Sequence, residues 1–298
     1  MPDNCIRRKG TFTLRIDVHS HVWLREHLSS AFIRDMGRAY GGGLPPERLV
    51  HVPPEAHLRA MEAVERCVVF GLRSRRLGLA VPNSFVAEYA AAHSDRVVGF
   101  ACVDPNEEDA PGQLDEAVAM GLRGLKLAPI YQYFHPHAPE AGRIYRRAAA
   151  HGLPVLWHQG TTFTETGPLE VANPLLLERV ALEFPELTQI IAHLGHPWHA
   201  ETIVLIRKHP RLFADISALH YRPWQFYNML VLAQEYGVVD RLLLGSDFPF
   251  TTPADTIAAL VHVNDLIEGT ALPRVRPDTV AGIIERNAAA ALADILGR

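Results

Sequence analysis

Eight short runs rich in β-branched and aromatic residues recur along this 298-residue chain, and most are followed by a stretch of helical periodicity. The runs are 14–23, 67–72, 96–103, 122–127, 154–158, 188–193, 212–217 and 241–245. Between them apolar residues fall three and four apart, as in Leu58, Met61 and Val64 or Leu114, Val118 and Leu122, and again over 144–150, 175–184, 203–206, 226–236 and 257–267. Pro111, Pro139, Pro174, Pro223 and Pro253 stand near the start of five of these stretches, where a missing backbone N–H costs least. Runs such as Val68-Val69-Phe70 and Leu242-Leu243-Leu244 are apolar on both faces, which calls for a parallel sheet covered by helices. Eight such units close most naturally into a (β/α)₈ TIM barrel, here one α/β domain over 1–298. An open doubly wound sheet is the rival fold. It would ordinarily carry a Gly-rich turn after its first strand, where this chain has His19-Ser20-His21-Val22-Trp23.

Two segments exceed the repeat. Residues 24–55 form an insertion after the first strand, with a helix expected at 28–40 and a turn at Gly41-Gly42-Gly43-Leu44-Pro45-Pro46. In a barrel it emerges on the catalytic face, as a lid or specificity loop. Residues 277–298 are alanine-rich and are expected to form a C-terminal helix packed outside the barrel.

A hydrophobic fraction of 48% supports a large core, and a formal charge of −4 with both signs mixed gives no field for nucleic acid or an anionic membrane. No apolar run of about 18 residues occurs, and the polar, basic first ten residues lack a signal-peptide core. Cys5, Cys67 and Cys102 are odd in number and scattered, which suits a reducing compartment. The expectation is a cytoplasmic protein acting on a small molecule, with self-association left open.

Barrel enzymes carry their reactive groups at the C-terminal ends of the strands. The first strand ends in His19 and His21, which a period of two places on one side, with Val18 and Ser20 on the other. Two imidazoles meeting at one point suit a divalent metal, but an H-x-H pair alone does not make a site. Strand four offers Lys126 among apolar neighbours, strand five His158, strand six His193 and strand eight Asp247. Each alone has a plain structural explanation: a histidine hydrogen-bonded in the core, an aspartate capping a turn, a lysine snorkelling outward. Four histidines, a lysine and an aspartate at equivalent strand ends are not independent accidents. Loop residues expected to face the pocket are Trp23, Arg25, Tyr131, His135, His137, Trp198, His220, Tyr221, Arg222 and Phe248, with Trp23, Arg25, Tyr131, His220 and Arg222 the leading substrate-binding candidates.

With Ile16-Asp17-Val18-His19-Ser20-His21, Gly121-Leu122-Arg123-Gly124-Leu125-Lys126-Leu127 and Leu243-Leu244-Gly245-Ser246-Asp247-Phe248-Pro249, the sequence resembles the amidohydrolase superfamily over essentially the whole barrel. The closest resemblance is to the amidohydrolase-related branch that contains aminocarboxymuconate-semialdehyde decarboxylase-like enzymes. It implies that His19, His21, His158 and Asp247 bind one divalent metal, most often zinc, and that His193 stands beside it as an acid/base or polarising group. Lys126 leaves a two-metal form open, since superfamily members with two metals bridge them through a carboxylated strand-four lysine and put the strand-six histidine on the second. One Zn²⁺ is expected, with Mn²⁺ or a second metal as alternatives.

Such a site can activate water for hydrolysis of a small amide, ester or lactone, with Asp247 relaying the proton and His193 stabilising negative charge. The same site can instead run non-oxidative decarboxylation of a small aromatic or unsaturated carboxylate. A pure binding module would be expected to have lost ligands, and three histidines with an aspartate do not match the iron facial triad.

Overall fold

The computed structural model describes residues 14–39 and 45–293. Eight parallel strands lie in chain order in one sheet: β1 (Ile16–His21), β2 (Arg66–Phe70), β3 (Val97–Cys102), β4 (Leu125–Leu127), β5 (Val155–Trp157), β6 (Gln189–Ile191), β7 (Leu212–Asp215) and β8 (Leu242–Leu243). The chain beyond β8 returns along β1, with Val18 N–H donating to the Leu244 carbonyl at 2.9 Å and a parallel bridge between Ser20 and Phe248. The expected TIM barrel is therefore the observed fold.

Helices follow the strands. They are α1 (Ser30–Ala39) and α2 (Pro54–Ala60) after β1, α3 (Asn83–Ala92) after β2 and α4 (Ala110–Ala119) after β3. Next come α5 (Pro139–His151), α6 (Leu177–Glu183), α7 (His199–Lys208), α8 (Pro223–Glu235) and α9 (Pro253–Val261), then the terminal pair α10 (Pro277–Glu285) and α11 (Asn287–Ala291). Pro139, Pro223 and Pro253 each open a helix, where the ring replaces an N–H that would have no partner. Val155 and Trp157 face the helices while Leu156 faces the barrel axis, the alternation a strand buried on both faces requires.

A separate apolar cluster fills the barrel below the strand ends: Ile16, Val18, Val68, Phe70, Val98, Phe100, Leu156, Ile190 and Leu243. Ala288 and Leu292 belong to that cluster. The C-terminal segment thus breaks at Arg286 into two helices, and the second closes the floor of the barrel rather than packing outside it.

Val18 corrects the simple period of two. It lies in the interior cluster, as Ile16 does, while His19 and His21 also face the interior. The pairing of β1 with β2 shows how. Asp17 is opposite Cys67 but Ser20 is opposite Val69, so β1 carries one extra residue, a bulge that re-aims the strand. Ser20 is fixed on the outer face, its hydroxyl donating to the Val68 carbonyl at 2.6 Å and accepting from His57 Nε2 at 2.8 Å. His57 Nδ1 in turn accepts from the Tyr89 hydroxyl at 2.8 Å, and burial drives this histidine down to about 3, so it is neutral.

The insertion places α1 where a helix was expected. Its chain makes isolated bridges between Trp23 and Val52 and between Leu28 and Leu79. A two-residue ribbon, Arg73–Ser74 with Leu79–Ala80, follows β2 and was not foreseen. Gly41 to Leu44 of the expected turn, Cys5 and residues 294–298 lie outside the described residues. Cys67 and Cys102 are free and buried. Among the described residues no helix is long and apolar enough to cross a membrane.

Candidate metal centre and its cavity

Asp247 reaches β1 because Gly245-Ser246-Asp247 runs alongside it. Asp247 N–H donates to the His19 carbonyl at 2.8 Å and His21 N–H to the Phe248 carbonyl at 2.8 Å. The turn demands φ +64° at Asp247, a left-handed conformation that aspartate tolerates better than most residues. Asp17 clips the two ends of the barrel together. Its buried carboxylate accepts from the backbone N–H groups of His19 (2.9 Å) and Ser246 (3.0 Å) and from the Ser246 hydroxyl (2.5 Å). Burial pushes it up to about 7 against the pull of those bonds.

His19 Nδ1 donates to Asp215 Oδ2 at 2.8 Å, so Nε2 is the nitrogen turned to the site. It stands 3.2 Å from Asp247 Oδ1, without the alignment of a hydrogen bond, and His21 Nε2 is hydrogen-bonded to the same oxygen at 3.1 Å. Donor atoms about 2.0–2.2 Å from one zinc ion lie about 3.0–3.6 Å apart, so this spacing is that of a ligand set. Electrostatics agree. Burial and Lys126 oppose charge on His19, but Asp215 and Asp247 prevail and raise it above the ordinary imidazole value. Burial works to raise Asp247 as well, yet His193, His19 and His21 hold it well below the usual carboxylate range. The residues present thus fit a cation shared by His19 Nε2, His21 Nε2 and Asp247 Oδ1, and these three side chains offer donor atoms within 4.8 Å of one another.

His158 is not in that group. Its Nε2 donates to the Thr161 carbonyl at 2.9 Å, and its ring lies 5.1 Å from that of His193, centroid to centroid. His193 follows β6 with φ +55° and is held at both ends: its N–H donates to Asp215 Oδ1 at 2.9 Å, and Nδ1 donates to the Ser217 carbonyl at 3.1 Å. Nε2 is then its unprotonated nitrogen, and burial lowers the ring below the ordinary histidine value. Lys126 points into the barrel as expected. Its Nζ is buried 4.6 Å over the Phe70 ring with no hydrogen-bond partner, and burial brings it down to about 8.

Above these groups opens a cavity of about 440 Å³. His21, Lys126, His158, His193 and Asp247 reach it from the strand ends, and Trp23, Phe32, Leu72, Tyr131, Phe163, Leu219 and Phe250 make its walls largely apolar. Of the leading substrate-binding candidates, Trp23, Tyr131 and Arg222 line it, and Tyr221 does too. Arg25 and His220 do not. Arg25 lies on the exposed turn that leads away from β1 and pairs with Glu47 at 3.5 Å, while the His220 ring meets Tyr221 and Phe226 edge to face. His135, His137, Trp198 and Phe248 also lie off the cavity.

Asp215, Ser217, Asp17, Phe163 and His196 were not anticipated. Asp215 had a signal, since an aspartate ending the apolar run Leu212-Phe213-Ala214 invites the same question as Lys126. Phe32 comes from the expected helix of the insertion and Phe163 from a connection with no periodicity, and they meet only in three dimensions, with ring centroids 5.3 Å apart.

The fold is shared with solved structures of other proteins. A solved structure of an uncharacterized TIM-barrel protein from Bordetella bronchiseptica is similar at 22% identity and a TM-score of 0.71, covering 95% of this chain and 100% of that one. A probable 2-pyrone-4,6-dicarboxylic acid hydrolase from Acinetobacter baumannii, with citric acid bound, gives 16% identity and a TM-score of 0.64 over 95% and 99%. A 5-carboxyvanillate decarboxylase from Novosphingobium aromaticivorans, complexed with manganese, gives 14% and 0.66 over 94% and 96%. At these identities the likeness is one of fold. No curated protein matches the sequence. The model of the amidohydrolase family, however, matches residues 16–293, from β1 through every strand to the floor helix. The chain belongs to the amidohydrolase family, and it is an enzyme.

Proposed function

We propose that this enzyme is a metal-dependent hydrolase cleaving an amide, ester or lactone in a small, largely apolar molecule. The observation that carries the proposal is the convergence of three possible donor atoms in a buried site: Asp247 Oδ1 stands 3.2 Å from His19 Nε2 and is hydrogen-bonded to His21 Nε2 at 3.1 Å, a spacing that a divalent ion replacing the shared proton would also take. One divalent ion is proposed there, zinc in the first instance and manganese as the alternative. His19, His21 and Asp247 would hold it, and His158, which lies outside that group, would have to move in to serve as the fourth ligand through the Nδ1 that its bond to Thr161 leaves unprotonated. Such an ion supplies Lewis acidity, polarising a carbonyl and lowering the pKa of water from 15.7 towards about 7. One metal is preferred to two because His19 Nδ1, His193 Nδ1 and Asp215 are committed to hydrogen bonds, leaving only Lys126 and His193 Nε2 for a second.

Asp247, held ionised, takes the proton of the attacking water and returns it to the leaving group. His193 in its neutral form offers a lone pair at Nε2, so its role is to hold or accept a proton rather than to donate to an oxyanion. Lys126, with no hydrogen-bond partner of its own, is the cation that faces negative charge developing on the substrate. A second reaction, loss of CO₂ from a small aromatic or unsaturated carboxylate, is favoured by one observation: Lys126 and Arg222 both line the cavity and suit an anionic substrate. The insertion, which puts Phe32 and Ala39 of α1 in the cavity wall, is proposed to be a lid on a single domain. The free, buried Cys67 and Cys102 support a cytoplasmic setting.

The test is a panel of lactones, esters, amides and aromatic carboxylates, scored separately for hydrolysis and for CO₂ release after supply of zinc or manganese. Asp247→Asn should keep part of the metal and lose about 10²–10⁴ in turnover. Protein that binds no stoichiometric metal, or an Asn variant with normal turnover, would refute the proposal.

A further inference from the structure

The loop after β6 carries a second histidine pair outside the proposed ligand set. His196 lines the cavity, and its Nδ1 lies 3.4 Å from His199 Nε2, while His199 Nδ1 lies 3.2 Å from the Leu194 carbonyl. A carbonyl only accepts, so His199 Nδ1 carries the hydrogen. Burial lowers His199 below the ordinary histidine value, so the ring is neutral and its Nε2 is a bare acceptor. The proton between the two rings must then sit on His196 Nδ1. Burial first, then Arg222, His199 and His193, hold His196 down to about 4, so it too is neutral, and its Nε2 is an unprotonated nitrogen. The only side-chain hydrogen bond of this half-buried ring to a described residue is made at Nδ1, which leaves Nε2 open.

The backbone keeps the ring in place. His196 N–H donates to the His193 carbonyl at 2.9 Å, and its carbonyl accepts from Thr161 N–H at 2.8 Å. Gly160 packs so closely that a Cβ there would come within 2.7 Å of the His196 carbonyl oxygen. Gly195, at φ +66°, leaves no room for a side chain against Thr202 and Pro174.

We propose that His196 is a specificity-determining residue, which presents Nε2 to the cavity as a hydrogen-bond acceptor and so selects substrates that carry an O–H or N–H donor besides the group that reacts. This deepens the hydrolytic function proposed above and rests on it. His199 is the positioning residue, since it fixes which nitrogen of His196 holds the proton. Arg222 adds to the effect by disfavouring an imidazolium. An acceptor that would otherwise be left unpaired in a mostly apolar wall rejects an analogue in which the donor is methylated.

Two measurements on the full-length protein test this. With ¹⁵N-labelled histidine, long-range ¹H–¹⁵N spectra at pH 7 should show His196 Nε2 at the downfield position of an unprotonated ring nitrogen. His199→Phe, which removes the acceptor, should move that signal towards the protonated position. A native His196 protonated at Nε2 would overturn the proposal whether or not a substrate is known. For a substrate of the cavity and its O-methyl or N-methyl analogue, His196→Leu should raise KM for the donor-bearing form about tenfold or more and leave the methylated form and kcat nearly unchanged. His196→Gln, which restores an acceptor, should recover most of the difference. Equal effects on both substrates would also overturn it. If nothing in the panel turns over, the hydrolytic function fails while the spectra still decide the state of His196.

Discussion

The residues of this site work in pairs that set each other's protonation. Asp215 shows this best. One of its oxygens fixes the His19 tautomer and the other takes the backbone N–H of His193, so a side chain outside the proposed ligand set aims two groups that face the site. Lys126 has no such partner, and its cost can be measured. Its value falls from 10.5 in the open chain to about 8 in the fold, so between those values the unfolded chain binds more protons and stability rises with pH. Below about pH 8 the full penalty applies. Lys126→Met should therefore raise the Tm of chelator-treated protein at pH 7 and flatten the rise in stability between pH 8 and 10.5. A lower Tm for the Met variant would show that the amine has a partner in solution. At this scale the sequence was informative where chemistry was conspicuous, as at His19, His21, Lys126 and Asp247. It was silent on Phe163, whose place depends on how a long connection folds over the cavity.

The elements that aim these residues were legible as elements but not at their ends. Alternation of apolar runs and helical stretches located all eight barrel strands, because a strand buried on both faces has a distinctive composition. It could not show the bulge in β1, since an extra residue leaves no mark in a run that is apolar or polar for other reasons. The chain from Tyr89 through His57 to Ser20 secures that bulge from the outer face. His57→Leu would leave the Tyr89 hydroxyl and the Ser20 oxygen buried and short of a partner. A loss of about 1–3 kcal/mol is expected from the denaturation midpoint, with the m-value unchanged. The insertion is tied to the opposite rim by an exposed pair, Arg38 with Glu165 at 2.7 Å. If α1 is a lid, Glu165→Gln should change KM while leaving Tm where it was, and an unaltered KM would count against the lid.

For the whole molecule, the proposed metal and the fold should be thermodynamically linked. An ion that binds only the folded chain stabilises it by about 2.7 kcal/mol at a free concentration a hundred times Kd. Zinc or manganese should therefore raise Tm progressively, a chelator should reverse this, and His158→Ala should shrink the shift. A Tm indifferent to metal would argue that the three donor atoms do not bind one. The barrel itself was the most legible feature, because eightfold repetition leaves few closed solutions. How the floor is sealed was not, since the alanine-rich tail reads equally as a helix lying on the outside.

The donor atoms are divided between the first strand and the return after the last, with His19 and His21 at one end of the sequence and Asp247 near the other. A growing polypeptide emerges from its N-terminus. Until strand eight has been made, His19 and His21 have no Asp247 beside them, and Asp17, which later clips the seam, has no Ser246 to hold. Closure of the barrel and the meeting of the three donor atoms of the proposed site therefore depend on the same late event, the return of the chain after β8 along β1. A chain cut before Ser246 would lack both the partner that Asp17 holds across the seam and the third donor atom of the proposed site, so the seam and the site stand or fall together.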